Sequence, residues 1–196
     1  VIILNQGALF FTIFCIYFFY NALNFSDGAN GITSGLCIYW IIALILISGT
    51  TNTLYFSILI SLFLILMLNL QNKIFIGNSG ANFLSILFSL IFIQMFNAKQ
   101  IFFDQIVLLL FLPSMDLVRI VIERLLNGKS PSKADRNHFH HLLCGVVHSK
   151  YVFIPYLIFA IMPYFLKTLY LKSYVIISFS IVAYFIILFF LKNKNA

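Results

Sequence analysis

Residues 53–69, with the sequence TLYFSILISLFLILMLN, make an apolar run without a charged side chain. A run of this length suits an α-helix that crosses the hydrocarbon core of a bilayer, which takes roughly 20 residues. Across the chain, 62% of the 196 residues are hydrophobic and 9% are charged, whereas soluble domains carry about 25% charged residues. The sequence lacks the alternating segments of a membrane β-barrel. We therefore predict an all-α integral membrane protein.

Polar residues, Gly and Pro separate this run from further apolar stretches on both sides. The stretches are 6–20, 35–48, 53–69, 80–96, 104–124, 151–169 and 174–191. They predict one membrane domain over residues 1–196, a helix bundle with about seven transmembrane helices. The second stretch is short, so we expect its helix to begin within the preceding loop or to tilt. An odd number of crossings also indicates that the chain is the C-terminal part of a longer protein.

Alternating crossings place the loops near 21–34, 70–79 and 125–150 and the C-terminal tail on one side of the membrane. Basic residues are biased toward that side by eight to three. They are Lys73, Arg124, Lys129, Lys133, Arg136, Lys150, Lys192 and Lys194, against Lys99, Lys167 and Lys172. By the positive-inside rule, the three loops face the cytoplasm across the inner membrane. The net charge of +7 therefore reflects topology, and we expect no nucleic-acid partner.

The first of these loops contains NALNFSDGANG, residues 21–31. One interpretation is a helix C-terminus closed by Asn and Gly turn residues. The other is a hydrated functional cavity, because Asp27 is a carboxylate at the membrane boundary beside three amide side chains. Mg²⁺ favours such a carboxylate.

The second loop leads into the fourth apolar stretch with KIFIGNSGAN, residues 73–82. A helix N-terminus here would direct backbone N–H groups at an anion. A tight turn with Ser79 as N-cap explains the same residues. In the fifth stretch, Asp116 and Arg119 share a helix face and are typical of an ion pair that fixes helix register. Pro113 predicts a kink in the same helix.

The third loop concentrates histidines in SPSKADRNHFHHLL, residues 130–143. Zinc is one interpretation, with ligands from His140, His141 and Cys144, although the usual zinc-site spacings do not accompany them. A basic loop that only follows the positive-inside rule is another. Recognition of phosphate explains more, because Arg binds phosphate through two nitrogens while His and Lys donate to the remaining oxygens.

Together the three loops resemble the polyprenyl-phosphate N-acetylhexosamine-1-phosphate transferases, glycosyltransferase family 4. The resemblance rests on NALNFSDGANG at 21–31, on FIGNSGA at 75–81, and on the run 113–143. That run contains PSMD, Arg124, Gly128, SPSKADR and HFHH. The HxHH form is similar to the branch that primes O-antigen, teichoic-acid and related surface polysaccharides.

This resemblance implies a Mg²⁺-dependent reaction in which polyprenyl phosphate, such as undecaprenyl phosphate, attacks the β-phosphorus of a UDP-N-acetylhexosamine and UMP leaves. It implies a catalytic and Mg²⁺-binding role for Asp27. The substrate-binding residues that it implies are Asn21, Asn24, Asn30, Asn78, Arg136, His138, His140 and His141. The expected partners are the UDP-sugar, the polyprenyl lipid and the membrane, with a homodimer among the assemblies open to the chain.

Two departures from the family pattern support a competing hypothesis. Asn78 stands where the family usually has an aspartate that binds Mg²⁺, and an amide is a much poorer ligand. The paired-aspartate motif of the family lies upstream of the sequence present here. The alternative is an inactive relative, or a non-enzymatic membrane protein that binds an anionic ligand at these loops.

Overall fold

The computed structural model describes residues 6–49, 52–130 and 137–195, and within these ranges the chain is helical with no β-strand. The long helices are α1 (Gln6–Ser26), α2 (Ile32–Ser48), α3 (Thr53–Leu70), α4 (Gly77–Asn97), α8 (Phe153–Thr168) and α9 (Ser173–Asn195). Between α4 and α8 lie α5 (Phe103–Leu109), α6 (Phe111–Leu126) and the short α7 (Phe139–Cys144). A 3₁₀ turn, Ser149–Tyr151, precedes α8. The all-α prediction is confirmed.

Five helices in the described ranges are long and apolar enough to cross a membrane, or six if α5 and α6 count as one bent span. The short second helix begins at Ile32, inside the predicted loop, as expected. Many large apolar side chains point outward, including Phe63 and Leu64 on α3 and Phe189 and Phe190 on α9. Such surfaces suit a lipid environment. The chain is a multi-pass membrane protein.

The stretch 104–124 was predicted as one helix with a kink at Pro113, and the structure divides it into α5 and α6, which meet at an angle of 75°. The predicted effect of Pro113 explains the break. Pro113 has no N–H to donate to the carbonyl oxygen of Leu109, four residues earlier, and its ring also crowds that carbonyl group. Trp40 supplies the missing hydrogen-bond donor, since its indole N–H donates to the Leu109 oxygen at 2.9 Å. The break is therefore satisfied by a buried donor from α2.

Aromatic rings from separate helices fill the core at this level. The ring of Trp40 meets Phe19 of α1 edge-on at 5.2 Å and Phe88 of α4 at 5.4 Å between centroids. Offset and edge-on geometries are the favourable ones for aromatic pairs. This packing fixes α1, α2 and α4 relative to one another and so determines where their ends lie.

Candidate phosphate-binding site

The end of α1 carries the first group of candidate residues. Asn21 and Asn24 lie on the helix and not in the following loop, because α1 continues to Ser26. The Asn21 amide donates to the carbonyl oxygen of Tyr17 at 2.7 Å. The Oδ1 atom of Asn24 is buried and has no hydrogen-bond partner among the described residues. An unpaired buried oxygen is costly, which makes Asn24 the better candidate for contact with a ligand.

Asp27 follows α1 directly and is half-buried. Its Oδ1 atom accepts a hydrogen bond from the Thr33 hydroxyl at 2.8 Å. Its carboxylate also accepts a hydrogen bond from the backbone N–H of Gly77, the first residue of α4. Burial raises the pKa of Asp27, and the bonds from Thr33 and Gly77 partly offset that effect. Asp27 thus joins the first loop to the second.

The first loop also touches the histidine loop. A Cβ atom placed on Gly28 would lie 1.8 Å from Nε2 of His140 and 2.5 Å from its Cε1. No side chain fits at such a distance, so glycine is required at this position for the His140 ring to sit where it does. Asp27, Gly77 and His140 therefore meet at one end of the bundle.

Asn30 has its polar atoms engaged by other asparagines. Its amide donates to Oδ1 of Asn72 at 2.6 Å, and its Oδ1 accepts from the Asn69 amide at 3.2 Å. Asn69 also accepts from the backbone N–H of Gly31 at 2.6 Å. These bonds tie the first loop to the end of α3 and favour a supporting role for Asn30 over the predicted contact with substrate.

The second loop provides the start of α4. Asn78 lies exposed in the first helical turn. The alternative with Ser79 as N-cap is wrong, because the helix begins at Gly77 and its N-cap is Ile76. One turn beyond Asn78, the Oδ1 atom of Asn82 is buried with no hydrogen-bond partner among the described residues. Asn82 is therefore a further candidate that the motif comparison does not single out.

Asp116 and Arg119 form a buried ion pair at 2.6 Å, as their spacing predicts. The pair also holds the histidine loop. Both carboxylate oxygens of Asp116 accept from the backbone N–H of Phe139 at 3.2 Å, and Oδ2 lies 3.1 Å from Nδ1 of His138. Arg119 donates to the carbonyl oxygen of Asn137 at 2.6 Å. The pair that was expected to fix helix register therefore also fixes the loop.

The histidines form a cluster. The rings of His138 and His140 are parallel within 8° at 5.6 Å, and those of His140 and His141 lie 4.1 Å apart. Burial, with the neighbouring histidines, lowers the pKa of His140 to about 3, so its ring is neutral at pH 7. Its Nε2 atom is buried and has no hydrogen-bond partner among the described residues. A neutral ring can still present one N–H donor to an anion.

Arginine side chains are the next candidates for binding an anion near the histidines. Arg136 lies outside the described residues. The guanidinium of Arg124 lies 5.8 Å above the ring of Phe25, and that ring is 5.3 Å from His138. Arg124 thus brings a fixed positive charge close to the cluster.

Within the described ranges, no group of three or more His, Cys, Asp and Glu side chains could hold a metal ion. The geometry therefore offers no support for zinc at His140, His141 and Cys144. A helix N-terminus, the neutral His140 ring and a buried guanidinium suit a phosphate group better. The sequence offered no motif for Thr33, Asn69 and Tyr184, which support the site by hydrogen bonds to Asp27, Gly31 and Arg119, respectively. These partners lie 6, 38 and 65 residues away along the chain.

The fold defines a class of protein, the multi-pass helix bundle with a polar site at the ends of its helices. Residues 2–96 match the family described as glycosyl transferase family 4. The chain belongs to this family.

Named relatives agree with the family match. The chain is 30% identical over 153 residues to the undecaprenyl-phosphate alpha-N-acetylglucosaminyl 1-phosphate transferase of Escherichia coli K12, with 72% of this chain and 42% of the relative covered. It is 30% identical over 148 residues to a probable undecaprenyl-phosphate N-acetylglucosaminyl 1-phosphate transferase of Bacillus subtilis, with 70% and 41% covered. The chain thus spans less than half the length of these curated relatives. The search of solved structures found no significant match.

Proposed function

We propose that this chain forms the nucleotide-sugar side of the active site in an N-acetylhexosamine-1-phosphate transferase. The sugar phosphate is transferred from a UDP-sugar to a polyprenyl phosphate in an early step of cell-surface polysaccharide synthesis. The convergence of Asp27, the N-terminus of α4 at Gly77, and His140 carries the proposal. The names of the relatives make undecaprenyl phosphate the acceptor and N-acetylglucosamine the sugar to test first.

In the proposed reaction an oxygen of the polyprenyl phosphate attacks the β-phosphorus of the UDP-sugar. A new P–O bond forms there, the bond from that phosphorus to the bridging oxygen breaks, and UMP leaves with the bridging oxygen. Such transfers depend mainly on positioning and on neutralising charge around the phosphates. One side of the site consists of His138, His140 and Arg124, which supply hydrogen-bond donors and positive charge. The other side consists of the polar ends of α1 and α4.

Mg²⁺ fits the residues present, although only in part. Its preferred ligands are oxygens, usually one or two carboxylates together with water and substrate phosphates. Asp27 provides a carboxylate, and Asn24 provides a buried oxygen without a partner among the described residues. Asn78, in the first turn of α4, could add a neutral oxygen at most. When bound, the ion would neutralise part of the diphosphate charge.

The proposed membrane orientation follows from chemistry. A UDP-sugar is made and held in the cytoplasm, and the hydrocarbon core strongly disfavours its charges. We therefore infer that the site faces the cytoplasm at the inner membrane, and the bias of basic residues supports this orientation. A homodimer stays a prediction.

The test uses the full-length protein in detergent with undecaprenyl phosphate, UDP-N-acetylglucosamine and Mg²⁺, and it measures release of UMP. We expect release to require both substrates and to stop when Mg²⁺ is chelated. Asp27→Asn should lower the rate by about 100-fold or more, the loss typical for removal of one group that stabilises charge. Asp104→Asn is the matched control, because Asp104 in the first turn of α5 pairs with Lys167 in the last turn of α8, at the other end of the bundle.

One observation favours the alternative of a relative that binds an anion without catalysis. Asn78 is exposed in the first turn of α4, where the family pattern has a carboxylate. If the wild-type protein binds UDP-N-acetylglucosamine but releases no UMP, the alternative holds. If it releases UMP and Asp27→Asn has no effect, the proposed site is wrong.

A further inference from the structure

Tyr184, buried on the C-terminal helix α9, has its hydroxyl at the centre of the Asp116–Arg119 pair. The hydroxyl accepts a hydrogen bond from Nε of Arg119 at 2.7 Å and donates one to Oδ1 of Asp116 at 2.8 Å. Both partners are charged, and hydrogen bonds to charged groups contribute more than those between neutral groups. Tyr184 thereby fixes the separation and the orientation of the pair.

The pair in turn holds the histidine loop at consecutive residues. Arg119 binds the carbonyl oxygen of Asn137, and Asp116 binds His138 and the backbone of Phe139. The Tyr184 ring also packs on the Phe139 ring, with centroids 5.4 Å apart. One side chain of α9 therefore supports the loop through both its ring and its hydroxyl.

A second link between α9 and the pair lies nearer the surface. Lys192 binds Glu123 at 2.7 Å, and Glu123 binds Arg119 at 2.9 Å. The Lys192 side chain is 44% exposed and that of Glu123 is 32% exposed. Ion pairs with this much exposure contribute little, so the buried hydroxyl of Tyr184 is the stronger of the two links.

We propose that Tyr184 is a positioning residue for the histidine cluster, so that the last helix of the chain supports the nucleotide-sugar side of the site. The inference rests on the proposed function, because it takes the histidines as the groups that engage the UDP-sugar. Tyr184 itself acts through Asp116 and Arg119 and contacts no substrate. Its loss should affect one substrate and not the other.

The variant is Tyr184→Phe, which keeps the ring on Phe139 and removes only the hydroxyl. In the full-length protein we expect KM for UDP-N-acetylglucosamine to rise about three- to tenfold, the effect of losing a hydrogen bond to charged groups. We expect KM for undecaprenyl phosphate to stay the same. Tyr39→Phe on α2 is the matched control, because the buried Tyr39 hydroxyl has no hydrogen-bond partner among the described residues.

A second measurement needs no catalysis. Cys144 ends α7 and is exposed, whereas Cys37 is buried and Cys15 is half-buried. Labelling of Cys144 by a maleimide, taken as the difference from a Cys144→Ser protein, therefore reports on the position of the loop. We expect Tyr184→Phe to change the labelling rate at least about threefold, and Tyr39→Phe to leave it unchanged.

The outcomes separate the two proposals. If the wild-type protein is inactive, the proposed function fails while the labelling difference still tests the role of Tyr184. Equal labelling in wild type and Tyr184→Phe would overturn the inference. So would a Tyr184→Phe protein in which KM for both substrates rises together, or in which only the melting temperature falls, because either result shows a general packing role.

Discussion

Gly28 shows how one missing side chain shapes the site. The polar turn after α1 approaches the His140 ring so closely that a Cβ at position 28 would overlap Nε2 at 1.8 Å. The backbone at Gly28 is not in a left-handed conformation, so its glycine is required by contact and not by backbone geometry. The close approach is what brings Asp27 and the histidine cluster into one site.

Gly28→Ala should therefore displace His140 and lower UMP release by the full-length protein by about tenfold or more, since a shift of 1 Å in a positioning group can cost up to about 100-fold. The measurement is the rate at saturating substrates, together with the melting temperature in detergent. Gly7→Ala is the control, because a Cβ there meets no described atom within 4 Å. Full activity of Gly28→Ala would show that the His140 ring need not lie against this turn.

The sequence was most informative at the level of single motifs. Asp27 and the histidines could be named because carboxylates and imidazoles are rare in an apolar chain. The residues that hold the first loop in place could not be named from the sequence. Thr33 and Asn69 are ordinary polar residues, and their roles arise only when distant parts of the chain meet. Asn30 illustrates the reverse case, since it lies in a motif but binds Asn69 and Asn72.

At the scale of helices, the break between α5 and α6 depends on two residues that are remote in sequence. Pro113 leaves the Leu109 carbonyl without its usual donor, and Trp40 provides a replacement. Proline could be recognised in the sequence as a cause of bending. The position and the size of the bend could not be predicted from the sequence, because they depend on Trp40 and on the packing around it.

Trp40→Phe should destabilise the protein by about 1–3 kcal/mol through the unpaired carbonyl, in addition to lost packing. Pro113→Ala restores a backbone N–H at position 113 that can bond to Leu109. In that background we expect Trp40→Phe to cost less, and denaturation in mixed micelles followed by circular dichroism measures the difference. If both backgrounds lose the same stability, the two residues do not share the Leu109 carbonyl.

At the scale of the whole molecule, contacts join residues of the three loops at one end of the bundle. Asp27 meets Gly77, Gly28 meets His140, and Lys192 of the last helix pairs with Glu123. Parity of the spans was enough to predict this grouping. The break within 104–124 did not disturb it, because Asp104 at the start of α5 pairs with Lys167 in the last turn of α8, near the start of α9, whereas Glu123 near the end of α6 pairs with Lys192 near the end of α9.

Which end faces the cytoplasm can be measured with one added cysteine at a time in a Cys15→Ser, Cys144→Ser protein, in which only the buried Cys37 remains. Lys129 and Lys172 are both exposed and lie in loops of opposite ends. We expect a membrane-impermeant maleimide to label Lys172→Cys in intact cells, and to label Lys129→Cys only after the membrane is opened. The reason is the excess of Lys and Arg around the histidine loop, which is retained in the cytoplasm during insertion. Labelling of Lys129→Cys in intact cells would place the histidine cluster outside, away from the supply of nucleotide sugar, and would contradict the proposed reaction.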